Sequence, residues 1–261
     1  MNAFIDAHCH IDAYEEAAQE TFDELLARLT PETTPAAFIH SACDPKSFET
    51  AKRLSEKYPS VYVAYGIHPE YVLTETQEDE TAMLRYLKHP KAVACGEFGL
   101  DYHYDKEHAR EQCALFERHL QLALGTKLPL TLHLREADDD ALAILRSADI
   151  NKTKIHVHCF TGGTEFVRKL LALDAEIYIG FTGIVTFKHA DNVRDAAREV
   201  PAERLLLETD APYLAPVPFR GKPAHSGYIP FIAQKLAEIR GESLNVLYEK
   251  CRGNTRRCYG I

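Results

Sequence analysis

Short apolar, β-branched runs alternate with longer amphipathic stretches along the whole chain. Eight of the runs read as strands: 3–8 (AFIDAH), 36–42 (AAFIHSA), 61–68 (VYVAYGIH), 92–99 (AVACGEFG), 128–134 (LPLTLHL), 154–160 (KIHVHCF), 176–181 (EIYIGF) and 204–210 (RLLLETD). They are almost continuously apolar, as strands covered on both faces are. Between them, 111–127 carries Cys113, Phe116, Leu120 and Leu124 at helical spacing, with Gly125 as a stop signal. Stretches 166–173 and 192–200 follow the same rule. After the eighth run, 215–228 is a Pro/Gly-rich loop, and helical patterns follow at 229–240 and 243–257. Eight strand–helix units in 261 residues give about 33 residues each, the size of a βα repeat closing into a parallel barrel. The pattern therefore predicts an α/β chain, a (β/α)8 TIM barrel forming one domain over 1–261.

Composition narrows the setting. Hydrophobic residues at 46% and charged residues at 26% are ordinary for a globular chain. No apolar run has the length of a membrane span. Asp6, His8 and His10 interrupt the first apolar stretch, which lacks a basic leader and is not expected to be a signal peptide. The seven cysteines are scattered without a Cys-x-x-Cys pair, and Cys43, Cys95 and Cys159 lie in or beside strand-like runs. They read as buried free thiols in a reducing cytoplasm. A net charge of −9 argues against a broad electropositive face for duplex DNA. It leaves room for a compact site that takes one phosphate or a strand end, with a bound dication supplying the local positive charge.

The candidate chemistry begins with His8 and His10. With 13 histidines in the chain, chance alone gives about 0.6 His-x-His pairs, so the pair is informative only through its position. Active sites of parallel barrels form at the C-terminal ends of the strands. His8 and His10 close the first predicted strand, Glu97 the fourth, His133 the fifth, His158 the sixth and Asp210 the eighth. Six metal-competent side chains thus fall on one rim. Alternation along a strand turns His8 and His10 inward and Cys9 away, as a packed thiol. In the second His-x-His pair, His156 shares the face of His158 one layer deeper and reads as a core histidine.

Four imidazoles and two carboxylates exceed the needs of one tetrahedral zinc. Two divalent ions about 3.5–4 Å apart, bridged by a carboxylate, account for them better. Glu97 is central in chain order and is the natural bridge. Imidazoles suit zinc, while carboxylates and water admit magnesium or manganese. The expected reaction class is metal-assisted hydrolysis.

Six segments, FIDAHCHID (4–12), YGIHPE (65–70), GEFGLDY (96–102), LPLTLHLREA (128–137), HCFTG (158–162) and LLLETDAPYL (205–214), resemble the TatD family of metal-dependent hydrolases, in order and over essentially the whole chain. The resemblance implies an amidohydrolase-like TIM barrel and a metal-dependent 3′–5′ exonuclease acting on DNA and sometimes RNA. It implies one metal on His8, His10, Glu97 and Asp210, and a second on Glu97, His133 and His158. Asp210 would orient or deprotonate the attacking water, and Glu208 would help position it. Related barrels often bridge their metals with a carbamylated lysine; the fourth strand here offers Glu97 and no lysine.

His68 is expected to contact phosphate or substrate, Arg135 to fork a phosphate, and Arg220 with Lys222 to steer one. Asp101 is a candidate partner for a ligand histidine, and Tyr102 a shaper of the rim. Asp138, Asp139 and Asp140 read as a helix start. After Arg220–Lys222 the chain departs from the family pattern: PAHSGY, with His225 and Ser226, stands where a different polar pair is usual.

The partner expected from these residues is a nucleic-acid end or a small phosphate-containing substrate, with no membrane. No basic, aromatic-interleaved stripe is visible, which favours short or end-on engagement of a strand. Hydrolysis of an amide or ester, in a small molecule or on aminoacyl-tRNA, is the alternative reading. A non-catalytic metal-binding barrel is a third.

Overall fold

The computed structural model describes residues 4–261; Ala3, where the first predicted strand begins, lies outside them. Eight parallel strands run in sequential order around one sheet. They are β1 (Asp6–Cys9), β2 (Phe38–Ala42), β3 (Val61–Tyr65), β4 (Ala92–Asp101), β5 (Leu130–Arg135), β6 (Lys154–His158), β7 (Glu176–Phe181) and β8 (Leu205–Leu207). Helices α1 (Ile11–Ala18), α2 (Phe22–Arg28), α3 (Phe48–Lys57), α4 (Gln77–Tyr86), α5 (Ala109–Thr126), α6 (Asp138–Ser147), α7 (Thr164–Leu171), α8 (Asp191–Glu199), α9 (Ile229–Arg240) and α10 (Leu244–Tyr259) occupy the crossovers and the C-terminal end. The predicted barrel is the observed one. Helix α5 runs through Gly125 and stops instead at Lys127, which takes the left-handed conformation at φ 62°. The acidic triplet starts α6, as expected.

Local chemistry sets several helix ends. Capping boxes open α2, with Thr21 and Glu24, and α4, with Thr76 and Asp79; each satisfies two otherwise orphaned backbone donors. The outer shell between strands and helices is packed with large residues such as Phe48, Tyr65, Phe98 and Phe116. The barrel interior is different. Ala7, Ala64 and Ala94 leave space there that Tyr178 and Tyr259, the latter from α10, fill. Tyr259 Oη lies 2.6 Å from His156 Nδ1 and 3.3 Å from Thr131 Oγ1.

Two departures from the predicted strands position the site. β8 stops at Leu207, not at Asp210. Beyond it the backbone leaves the β7 ladder: Thr209 donates from its N–H (3.0 Å) and hydroxyl (2.6 Å) to the buried Asp6 carboxylate. The barrel closes through Asp210 N–H to His8 O at 2.9 Å and His10 N–H to Ala211 O at 2.7 Å.

β4 continues past Gly99 to Asp101 and carries a bulge: Gly96 faces Thr131, whereas Phe98 already faces Leu132. Glu97 is the extra residue. It re-aims a side chain, as bulges beside active sites do, and Phe98 and Leu100 keep their places in the outer shell. Gly96 has φ +149°, and a Cβ there would stand 2.3 Å from Thr131 O, so only glycine fits.

Candidate metal centre

The structure brings all six rim residues together. His8 Nε2 lies 2.7 Å from Glu97 Oε2, and His10 Nε2 lies 3.3 Å from Asp210 Oδ1. His158 Nε2 is 3.3 Å from the same Glu97 oxygen. The two ring nitrogens Nε2 of His8 and His10 face each other at 3.3 Å, and His133 Nδ1 faces His158 Nε2 at 3.0 Å. Three overlapping donor groups result: His8–His10–Asp210, His8–Glu97–His158 and His68–Glu97–His133. Glu97 belongs to two of them. His8 also belongs to two, which chain order did not suggest. Glu97, His8, His10 and His158 are buried, and Asp210 is 8% exposed. Asp210 takes φ 57°, a left-handed turn that Asp tolerates better than most residues.

Neighbouring groups choose which nitrogen each ring offers. His10 Nδ1 donates to Ser41 O at 3.0 Å, which turns Nε2 toward the centre. His133 Nε2 donates to Asp101 Oδ2 at 2.9 Å, which leaves Nδ1 for the centre. Asp101 therefore has the partner expected of it, an arrangement that orients metal-binding histidines. His68 is set the other way. It lies beyond β3, caps the turn Pro69–Tyr71, and its Nδ1 accepts from Glu70 N–H at 3.2 Å. Its Nε2 then carries the proton, 3.7 Å from Glu97 Oε1. The tautomer makes His68 a donor rather than a ligand.

Charge follows the same design. Burial works to raise the Glu97 carboxyl, but the charges of His158 and His8 overcome it and hold the group well below the usual carboxylate range. Burial lowers His158, and the charge of His8 lowers it further. Burial, with the nearby His133, pushes His68 down to about 3, so this ring is neutral. Burial opposes ionisation of Asp101, yet the bond to His133 holds it at about 2. Facing nitrogens around ionised carboxylates, with the outward nitrogens of His10 and His133 already engaged, fit a divalent cation in chemistry and arrangement.

Other expected residues stand elsewhere. Glu208 is fully buried: Oε1 accepts the Cys159 N–H at 2.5 Å and Oε2 lies 2.9 Å from His156 Nε2. Its carboxylate thus holds the peptide of Cys159, a left-handed residue at φ 44°, directly after His158. His156 is a core residue between Glu208 and Tyr259, as its depth suggested. Cys9 is a packed thiol near Ile39 O. Arg135 lies over the Tyr104 ring at 4.9 Å. Arg220 lies over Phe187 at 3.7 Å. His225 is buried between Arg28 and Tyr228.

Asp6 and Tyr213 escaped the sequence reading. Burial raises Asp6 to about 6 while it ties β1 to the end of β8. Tyr213, 56% exposed, sets its ring 6.0 Å from that of His10. Its place in DAPYL, three residues after Asp210, was the available signal.

The model of the family described as TatD related DNase matches residues 5–260. The human protein named 3′-5′ RNA nuclease TATDN2 is 37% identical over 273 residues; the match takes in 99% of this chain, which spans 35% of that protein's length. The uncharacterized metal-dependent hydrolase YcfH of Escherichia coli strain K12 is 35% identical over 259 residues, covering 98% of this chain and 96% of YcfH. The crystal structure of YJJV, a TatD homolog from Escherichia coli K12, matches with a TM-score of 0.88 and 29% identity, over 99% of this chain and 98% of that one.

Proposed function

This chain belongs to the TatD-related DNase family of metal-dependent hydrolases, and from that premise we propose that it is a phosphodiesterase that removes nucleotides from the 3′ end of single-stranded or frayed DNA, RNA included. The observation that carries the reading is the Glu97 carboxylate, shared between two donor groups. A carboxylate placed between two donor groups suits a pair of ions close enough to clamp the attacking and leaving oxygens of a phosphodiester.

In this reading His8, His10, Glu97 and Asp210 would hold one divalent ion, and Glu97, His133 and His158 the other; magnesium, manganese and zinc all suit the set. Bound there, such ions supply Lewis acidity and bring the pKa of water toward about 7. Asp210, at the open edge, takes the proton of the attacking water. His68 donates through Nε2 to a substrate oxygen. Arg135, free of salt bridges among the described residues, pairs with a phosphate. Glu208 acts at one remove, fixing the Cys159 peptide and with it the approach of His158, instead of touching the water. Among the described residues no helix is long and apolar enough to cross a membrane. The seven cysteines are all free, which supports a reducing, cytoplasmic setting.

The test uses 5′-labelled single strands of DNA and of RNA, the latter prompted by the human relative's name. Metal-loaded protein should shorten them stepwise from the 3′ end, and a chelator should stop it. Absence of shortening with magnesium, manganese and zinc alike would refute the reading. Rapid turnover of esters or amides in its place would support the small-molecule alternative.

A further inference from the structure

A groove of about 580 Å³ opens between the loops that follow β7 and β8, within the range of roughly 300–1,000 Å³ that holds organic ligands. Ile184, Phe187 and Val217 give it an apolar floor, Lys188 and Arg220 give it positive charge, and His189 adds an imidazole to the lining. No carboxylate lines it, although Asp and Glu number 39 in this chain against 30 Lys and Arg. Elsewhere the arginines are commonly paired: Arg118 with Glu75, Arg168 with Glu199, Arg240 with Glu242. Among the described residues Lys188, His189 and Arg220 make no salt bridge. The nearest acid in sequence, Asp191, is engaged by Arg194 at 2.5 Å.

The groove is built rather than incidental. Val217 N–H donates to Thr186 Oγ1 at 2.9 Å, joining its two walls. Arg194 Nη1 donates to Phe187 O at 2.6 Å, and Asn192 Nδ2 to Thr161 O at 3.0 Å. Arg220 lies over the Phe187 ring at 3.7 Å, which orders the guanidinium and leaves its N–H edge available. Both loops leave the C-terminal ends of their strands, the end that carries His158 and Asp210.

We propose that this groove is a second subsite for single-stranded nucleic acid, holding the part of the strand that continues away from the metal centre. Lys188 and Arg220 pair with successive phosphates, and Phe187 and Val217 offer an apolar face to a base. Unpaired cations over an aromatic floor are the ingredients of sequence-tolerant strand binding. The end-on engagement expected from the sequence is thereby extended: the basic and aromatic positions lie on two different loops, so no stripe shows along the chain. The inference rests on the nuclease reading for its choice of ligand.

Fluorescence anisotropy with a labelled, phosphorothioate-linked single strand, which resists cleavage, tests it on the metal-loaded full chain. The double variant Lys188→Ala/Arg220→Ala, at two exposed positions, should keep the wild-type melting temperature. It should bind about tenfold more weakly, and the slope of log K against log salt should flatten by about 1.4, or about 0.7 for each lost phosphate contact. Wild-type affinity and slope in the variant would overturn the subsite, as would a wild-type protein that does not bind the strand. The shortening assay reads the other claim separately. Shortening with an unaltered variant leaves the nuclease reading standing and removes the groove. Groove-dependent binding without shortening does the reverse.

Discussion

Asp101→Asn isolates the device that aims His133. In the native chain Asp101 Oδ1 accepts the N–H groups of His103 (2.9 Å) and Tyr104 (3.1 Å), while Oδ2 accepts from His133 Nε2 at 2.9 Å. Asparagine keeps the first two bonds with its own oxygen. It then presents an N–H to His133, whose Nε2 must become an acceptor. The ring proton moves to Nδ1, the nitrogen that faces His158 Nε2 at 3.0 Å, and the lone pair a metal needs there is lost. The bond removed is charge-assisted and is worth about 1.5–3 kcal/mol. At about 1.4 kcal/mol per decade, that corresponds to weakening of roughly 10–150-fold, in line with the 10–100-fold typical of partners behind ligand histidines. Calorimetric titration of the metal-free variant with Mn²⁺ should therefore show one binding class weakened by that factor. The other, at His10 and Asp210, should stay within about threefold of wild type, and the apoprotein should lose no more stability than the about 1.5–3 kcal/mol of that bond. If both classes keep wild-type affinity, Asp101 does not set the tautomer and the tuning argument fails.

Removing either His8 or His10 should empty or weaken one metal position and leave Glu97, His133 and His158 able to hold the other ion; metal content after dialysis that falls to zero in either variant would contradict the two ligand sets. His225 is pushed down from 6.5 to about 4, first by burial and then by the charge of Arg28. The folded state therefore binds fewer protons than the unfolded one, and stability intact above about pH 6.5 is lost as pH falls toward 4, by about 3 kcal/mol from this group at 1.36 kcal/mol per unit. Urea unfolding of His225→Gln should show a shallower fall between pH 7 and 4 than wild type, and parallel curves would contradict it. A Cβ at Gly180 would stand 2.4 Å from both Glu208 Oε2 and His156 Nε2, so Gly180→Ala should cost about 1–3 kcal/mol by overpacking. A melting temperature equal to wild type would mean that the buried pair has room to move.

The order of strands and the convergence of His8, His10, His133, His158 and Asp210 were legible because each sits near the end of an apolar run, and a parallel barrel sends those ends to one rim. What the pattern hid was geometry that depends on partners far along the chain. β8 is shorter than its apolar run because Asp6, 203 residues away from Thr209, draws the backbone off the ladder. His68 reads as a strand end, yet it caps a turn beyond β3, and that bond settles its tautomer. Glu208 shares the strand face of Asp210 in sequence. The left-handed turn at Asp210 parts them, so one carboxylate reaches the centre and the other turns to Cys159. Periodicity carries no term for any of these.

The bulge at Glu97 bears on how such a chain can change over generations. Because Gly96 and Phe98 face consecutive residues of β5, the strand on either side of Glu97 already alternates in register. Loss of one codon there would heal the ladder, leave Phe98 and Leu100 packed where they are, and take away the carboxylate common to two donor groups. On this register a single deletion is expected to remove the shared carboxylate and leave the barrel standing. A lineage can silence the centre without unmaking the barrel, and a descendant that kept the shape but lacked this one residue would be free to acquire another use for the same mouth.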